Sequence, residues 1–254
     1  MDTHSEIIAK EDYISEMTEN GVVVLRKLFA ENKLSLLIKE ISNIRENVMT
    51  KLNTMQRPIE TYSDISERHN GRLDYRCGFS ADIFSEVAAP IIQIIKQMSP
   101  QIDFRHYWGV IPSESGAEAT NFHRDVYPIL NTTTGVNIDS PDINLPPYYF
   151  TVLIPLVEIT RENGPTEFIK GSKRVKIVDT KNAEIYAPLT SPGDVIIFDG
   201  RTTHRGVANK SNHERLIAYI TFVAVWYHDQ TFPINNYLFP ELSEKEYHPR
   251  SHYV

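Results

Sequence analysis

A single cysteine, Cys77, stands among 254 residues, which excludes an internal disulfide and suits a reducing compartment. Alone in an ordinary context, Cys77 reads as a small packing residue rather than a nucleophile. No stretch approaches the roughly 20 consecutive apolar residues that span a bilayer. The amino terminus, Met1 to Tyr13, lacks the basic start and apolar run of a secretory signal, so a cytoplasmic address and no membrane partner are expected. Lysines and arginines form no stripe, and the net charge is -7 with a pI near 5.7. A nucleic-acid backbone is therefore not an expected partner, and a bound anion must meet locally placed arginines. Internal repeats, low-complexity tracts and domain linkers are absent as well.

What is present suits one sizeable core, with a 41% hydrophobic and 23% charged composition. Gly21-Val22-Val23-Val24-Leu25 reads as a strand. From Lys27 to Leu52, Leu34, Leu37, Ile38, Ile41 and Ile44 recur at helical spacing, and a second helix is expected over Ile83–Met98. Strand-like runs then follow at Phe104–Ile111, Tyr148–Leu156, Thr166–Ile169, Val175–Val178, Asp194–Phe198 and Leu216–Trp226. Helices first and short strands afterwards predict a mainly β fold, a sandwich or barrel with helices on one outer face. The chain is expected to form one domain over residues 1–254, with a helical part of about 1–100 packed on a β core of about 101–228. The polar stretch Pro128–Pro147 reads as a long loop, either a lid over a site or a solvated excursion.

The chemistry centres on His123-Arg124-Asp125. On an extended segment residues i and i+2 share a face, so His123 and Asp125 can reach one ion together. His204, 81 positions beyond His123, would have to come from a distant strand, which only a sheet folded back on itself permits. Two imidazoles and one carboxylate are the donor set of a reactive ferrous iron, leaving half of an octahedral sphere open. Arg215 begins an apolar strand (Leu216, Ile217, Tyr219, Ile220, Phe222), from which its planar fork could grip a carboxylate.

With these residues the chain resembles the phytanoyl-CoA dioxygenase-like (PhyH) family of iron(II)/2-oxoglutarate-dependent oxygenases, from about residue 15 to 228. The resemblance rests on Asn20 to Leu25, His123-Arg124-Asp125, Ile154-Pro155-Leu156, Glu162-Asn163-Gly164-Pro165, Gly171-Ser172, Pro192-Gly193-Asp194, His204 with Gly206 and Asn209, and Arg215. It implies a double-stranded β-helix (jelly-roll, cupin-like) core. It also implies an oxidoreductase with Fe(II), 2-oxoglutarate and dioxygen as cofactor and co-substrates. The matching residues would make His123, Asp125 and His204 the metal ligands and Arg215 the clamp on the distal carboxylate of 2-oxoglutarate. Oxidation of a small organic molecule, by hydroxylation, desaturation or cyclisation and placed in specialised biosynthesis by family analogy, would release succinate and carbon dioxide. Asp125 disfavours halogenation, whose enzymes resemble this scheme but have a small residue there. Lys173 departs from the family, which often has a histidine after Gly-Ser.

Four further residues are candidate substrate contacts. Arg72 and Arg76 could meet an acidic group or form structural ion pairs, His106 could line the pocket or sit in the core, and Tyr127 would share the face of Asp125 if the strand continues. Thr151 could hydrogen-bond a 2-oxoglutarate carboxylate or serve as a β-branched strand former. Two other readings stay open: a non-catalytic ligand-binding jelly roll, and a cupin-like metalloenzyme that does not use 2-oxoglutarate. The sequence does not specify an oligomeric state.

Overall fold

The computed structural model describes residues 10–54, 64–67, 71–76, 78–126, 145–175 and 178–227. In chain order the elements are α1 (Lys10–Asn20), β1 (Val22–Leu25), α2 (Glu31–Leu52), β2 (Ile65–Glu67), β3 (Leu73–Tyr75), α3 (Asp82–Met98), β4 (Phe104–Ser113), β5 (Tyr149–Pro155), β6 (Thr166–Ile169), β7 (Ile185–Tyr186), β8 (Val195–Asp199), β9 (His204–Gly206) and β10 (Arg215–Ala224). Seven strands form an antiparallel sheet in the order β1-β8-β5-β10-β4-β3-β2, and a smaller sheet runs β7-β6-β9. The two sheets make the jelly roll, with the helices covering the outer face of the larger one.

The pleat divides each long strand between two cores. On β5, Phe150, Val152 and Ile154 face the helices while Leu153 faces the smaller sheet; on β8, Val195 and Ile197 face out while Ile196 and Phe198 face in. On β10, Ala218, Ile220 and Phe222 face out, and Ile217 and Tyr219 face in. Burial on both faces explains why these strands read as continuous apolar runs rather than alternating ones. The helices meet the outer face through Leu34, Leu37, Ile41, Ile44 and Val48 of α2, and through Phe84, Val87, Ile91 and Ile95 of α3. Fully burying each of these large aliphatic or aromatic side chains contributes about 1.5–3 kcal/mol.

Several expectations need correction. Three strands of the first hundred residues, β1, β2 and β3, belong to the large sheet, so the division near residue 100 does not separate a helical part from a β part. The helix expected from Lys27 starts at Glu31. Lys27 has a positive φ of 52°, its N–H is held by Asp194 Oδ1 at 2.9 Å, and Phe29 N–H by Gly193 O at 3.2 Å, which ties this segment to a turn. Val175 and Val178 lie in no strand, because a 3-10 turn at Ser172–Arg174 leads into them. The helix α1 carried too little apolar periodicity to be read, yet it buries Tyr13 and Met17. Most of the expected loop, residues 128–144, lies outside the described residues, as do Cys77 and Tyr127.

Candidate active site

His204 opens β9, whose partner β6 aligns Phe168 with it. The imidazole lies between Phe168 and Phe198, with ring centroids 5.9 and 4.5 Å away. On the other edge of β9, His123 and His204 form a single antiparallel bridge, each amide donating to the other's carbonyl at 2.9 Å. This pairing spans the sequence distance between the two histidines and sets their rings 4.4 Å apart, centre to centre. The segment around His123 is not a strand: after the bridge the backbone bends, and the amides of Asp125 and Val126 both donate to Gly200 O, at 2.9 and 3.3 Å. The bend, rather than an extended pleat, carries Asp125 to the histidines.

One ligand atom from each of His123, Asp125 and His204 lies within 4.8 Å of the others. Asp125 Oδ1 is 3.5 Å from His204 Nε2 and 3.8 Å from His123 Nε2. Each Nδ1 faces a backbone carbonyl, Asn121 O at 2.8 Å and Thr202 O at 3.0 Å. A carbonyl only accepts, so both Nδ1 atoms carry hydrogen and both Nε2 lone pairs point at the common centre. Thr151 donates its hydroxyl to Asp125 Oδ2 at 2.6 Å, which turns Oδ1 inward. This donor set suits a divalent first-row metal.

The three residues line a cavity of about 260 Å³ that runs along the inner face of β10. Arg215, Ile217, Tyr219 and Thr221 follow one another along its wall. At the far end Arg215 is 2% exposed. It donates to Gly164 O, to Asn163 O and Val207 O at 3.3 Å, and to Ser113 Oγ at 2.9 Å, while its Nε has no partner. Arg72 lines the same end, held by Glu118 O at 3.0 Å and by Val207 O. A Cβ on Gly206 would stand 2.3 Å from Arg72 Nη1, so only glycine leaves room for that guanidinium. No described carboxylate pairs with either arginine. Burial pushes Arg72 down to about 10, and burial with Arg72 nearby pushes Arg215 down to about 9. Two buried cations without a counter-charge among the described residues fit an anionic ligand.

The other candidates stand elsewhere. Arg76 does not line the cavity: it is buried against Asp74 at 2.8 Å and donates to Tyr219 Oη at 3.1 Å. Burial works against its charge, but Asp74 and then Tyr219 outweigh it and raise its pKa above the usual value. His106 has the pleat parity of Trp108 and Val110, which face the helices, and it stacks on Phe222 at 5.3 Å. It therefore points away from the cavity. Thr151 is at the site, with its hydroxyl hydrogen engaged by Asp125. Lys173 ties α1 to the sheet, donating to Met17 O at 2.7 Å and lying 3.8 Å from Asp199. Sequence reasoning missed Tyr149, Phe198 and Tyr219 on the wall, and also the alternation Arg72, Asp74, Arg76 that marks the inner face of β3.

A family model described as phytanoyl-CoA dioxygenase (PhyH) matches residues 17–217. The chain belongs to the PhyH family. As a member it is an oxidoreductase of the dioxygenase class. Among relatives, the dioxygenase trt7 of Aspergillus terreus is 24% identical over 208 residues, covering 78% of this chain and 68% of that protein. The dioxygenase aneA of Aspergillus aculeatus is 27% identical over 213 residues, covering 77% and 65%, so the chain spans about two thirds of these relatives. The structure of EctD from S. alaskensis with 2-oxoglutarate and 5-hydroxyectoine matches with a TM-score of 0.63 at 18% identity, over 89% of this chain and 79% of that one. At that identity the likeness shows the shared fold. Among the described residues no helix is long and apolar enough to cross a membrane.

Proposed function

We propose that this PhyH-family dioxygenase binds ferrous iron at His123, Asp125 and His204 and 2-oxoglutarate between that centre and Arg215, and oxidises a small organic molecule. The observation that carries this reading is the pairing, in one cavity, of three converging donors with two buried arginines that lack a described carboxylate partner. Iron bound there supplies the activation of dioxygen that is coupled to oxidative decarboxylation of 2-oxoglutarate to succinate and carbon dioxide.

The chain's own residues do the rest. Asn121 O and Thr202 O fix the imidazole orientations, and the Thr151 hydroxyl leaves Asp125 Oδ1 as the inward donor. Arg215, assisted by Arg72, holds the distal carboxylate, which pre-orients the other end of the co-substrate. Leu153, Phe198 and Ile217 keep water from its methylenes. The side chain of His123 is 40% exposed against 8% for His204, so the prime substrate arrives on the His123 side. Hydroxylation is the expected outcome, with desaturation or cyclisation as variants of the same hydrogen removal, in specialised metabolism. We read the chain as one catalytic domain working in the cytoplasm.

The test is an anaerobic titration of the metal-free protein with ferrous iron and then 2-oxoglutarate. A weak visible charge-transfer band on adding 2-oxoglutarate is the expected result. Iron binding with no band and no affinity for 2-oxoglutarate would leave a metalloenzyme of another kind, and binding of neither would leave a non-catalytic jelly roll.

A further inference from the structure

On the described wall of the cavity, one aromatic side chain of β10, Tyr219, stands between the metal centre and the arginine end. Its neighbours along the inner face are Thr221 toward the metal and Ile217 toward Arg215. Thr221 pairs with Thr151, the residue that holds Asp125. A tyrosine here could lie across the space that 2-oxoglutarate needs, yet its ring is laid sideways over β4. The seat is Gly109: a Cβ there would fall 2.1 Å from Tyr219 Cζ and 2.3 Å from Oη.

Two buried groups, the Arg76 guanidinium and the Asp74 carboxylate, fasten the ring in that seat through a cycle of three hydrogen bonds. Arg76 Nε donates to Tyr219 Oη at 3.1 Å, Tyr219 Oη donates to Asp74 Oδ1 at 2.8 Å, and Arg76 Nη2 donates to Asp74 Oδ2 at 2.8 Å. The cycle satisfies the phenol as donor and acceptor, and Asp74 balances the charge of Arg76. Asp74 lies on β3 and Arg76 follows its last residue; the register that sets Tyr75 opposite Val110 brings Arg76 beside Gly109.

We propose that Asp74 and Arg76 are positioning residues that latch Tyr219 over Gly109, and that this latch keeps the co-substrate channel open. The role rests on the reading of the cavity as a 2-oxoglutarate site. Releasing the phenol frees the ring to turn into the channel and compete with the co-substrate. Removing the ring altogether removes the obstruction.

The experiment titrates 2-oxoglutarate anaerobically into iron(II)-loaded wild type, Tyr219→Phe and Tyr219→Leu, with the iron affinity of each measured separately. Tyr219→Phe, which removes both of the phenol's hydrogen bonds to charged groups, should weaken 2-oxoglutarate binding about ten-fold, a part of what two such bonds are worth, without changing iron affinity. Tyr219→Leu, the less conservative change, should bind 2-oxoglutarate within about three-fold of wild type, and Gly109→Ala should weaken binding unless Tyr219→Leu accompanies it. A general structural role predicts the reverse order, with Leu worse than Phe. That order, or wild-type affinity in Tyr219→Phe, overturns the latch. Failure of wild type itself to bind 2-oxoglutarate overturns the co-substrate reading, and the latch's role with it.

Discussion

The hydroxyl of Thr151 lies 2.6 Å from Asp125 Oδ2 and donates to it, so β5, an interior strand of the large sheet, sets the orientation of the carboxylate among the three described donors. Thr151→Val keeps the shape and removes this bond. Iron affinity should fall by about 10–100-fold, the usual effect of losing a partner behind a metal ligand, with the fold intact by circular dichroism. Unchanged iron affinity would mean that the backbone bend at Asp125 orients the carboxylate alone.

Arg215→Ala should weaken 2-oxoglutarate binding by about 2–5 kcal/mol, the range for truncating one member of a buried charge pair, and leave iron binding intact. The pH dependence has a definite sign. Arg215 is pushed down to about 9, and a cation loses its charge as pH rises through its pKa. Affinity for 2-oxoglutarate should therefore hold near neutral pH and decline above about 9, as titration calorimetry across pH 7–10 can read. A rise in affinity over that range would contradict an arginine clamp.

Metal removal should be visible in thermal stability. A ligand that binds only the native state at about 100 times its dissociation constant adds about 2.7 kcal/mol. The metal-free protein should melt below the iron-loaded one in anaerobic differential scanning, and His204→Ala should abolish the difference. If the variant still gains from iron, the metal sits elsewhere.

Asn209 is fully buried, and its Nδ2 donates to Ser113 O at 3.0 Å and His213 O at 2.7 Å. It clamps the β9–β10 turn onto β4, next to Arg215. Asn209→Ala removes both bonds, leaving His213 O only the Ser211 hydroxyl at 3.0 Å, and should cost about 1–3 kcal/mol of stability, measured by denaturant unfolding. A loss below about 0.5 kcal/mol would show that the turn holds without it.

The donor triad and Arg215 were legible because their residue types are rare in apolar strands and their order is specific. The strands β5, β6, β8 and β10 were legible because apolar runs of that length between Pro and Gly have few other uses. The direction of His106 stayed open for the same physical reason: with apolar residues on both faces of β4, polarity does not reveal parity, and only the pairing of His106 with Phe222 settles it. For Arg76 the structural ion pair is the reading the structure bears out, with Asp74 two residues away, while its second partner Tyr219 lies too far along the chain to be read from spacing. The partners of the imidazoles, Asn121 O and Thr202 O, are backbone atoms, and no residue type announces a carbonyl.

One strand, β10, carries the guanidinium end of the cavity at Arg215 and, through the pairing of Thr221 with Thr151, the carboxylate end at Asp125. Its interior is therefore a ruler, graduated at about 3.4 Å per residue. Loops around the mouth can lengthen, shorten or change composition, and the spacing between anion clamp and metal stays as it was. An inserted or deleted residue within the strand acts differently: it turns the downstream side chains to the opposite face and breaks the scale. Diversification of such a catalyst is thereby channelled toward what it oxidises and away from how it is driven.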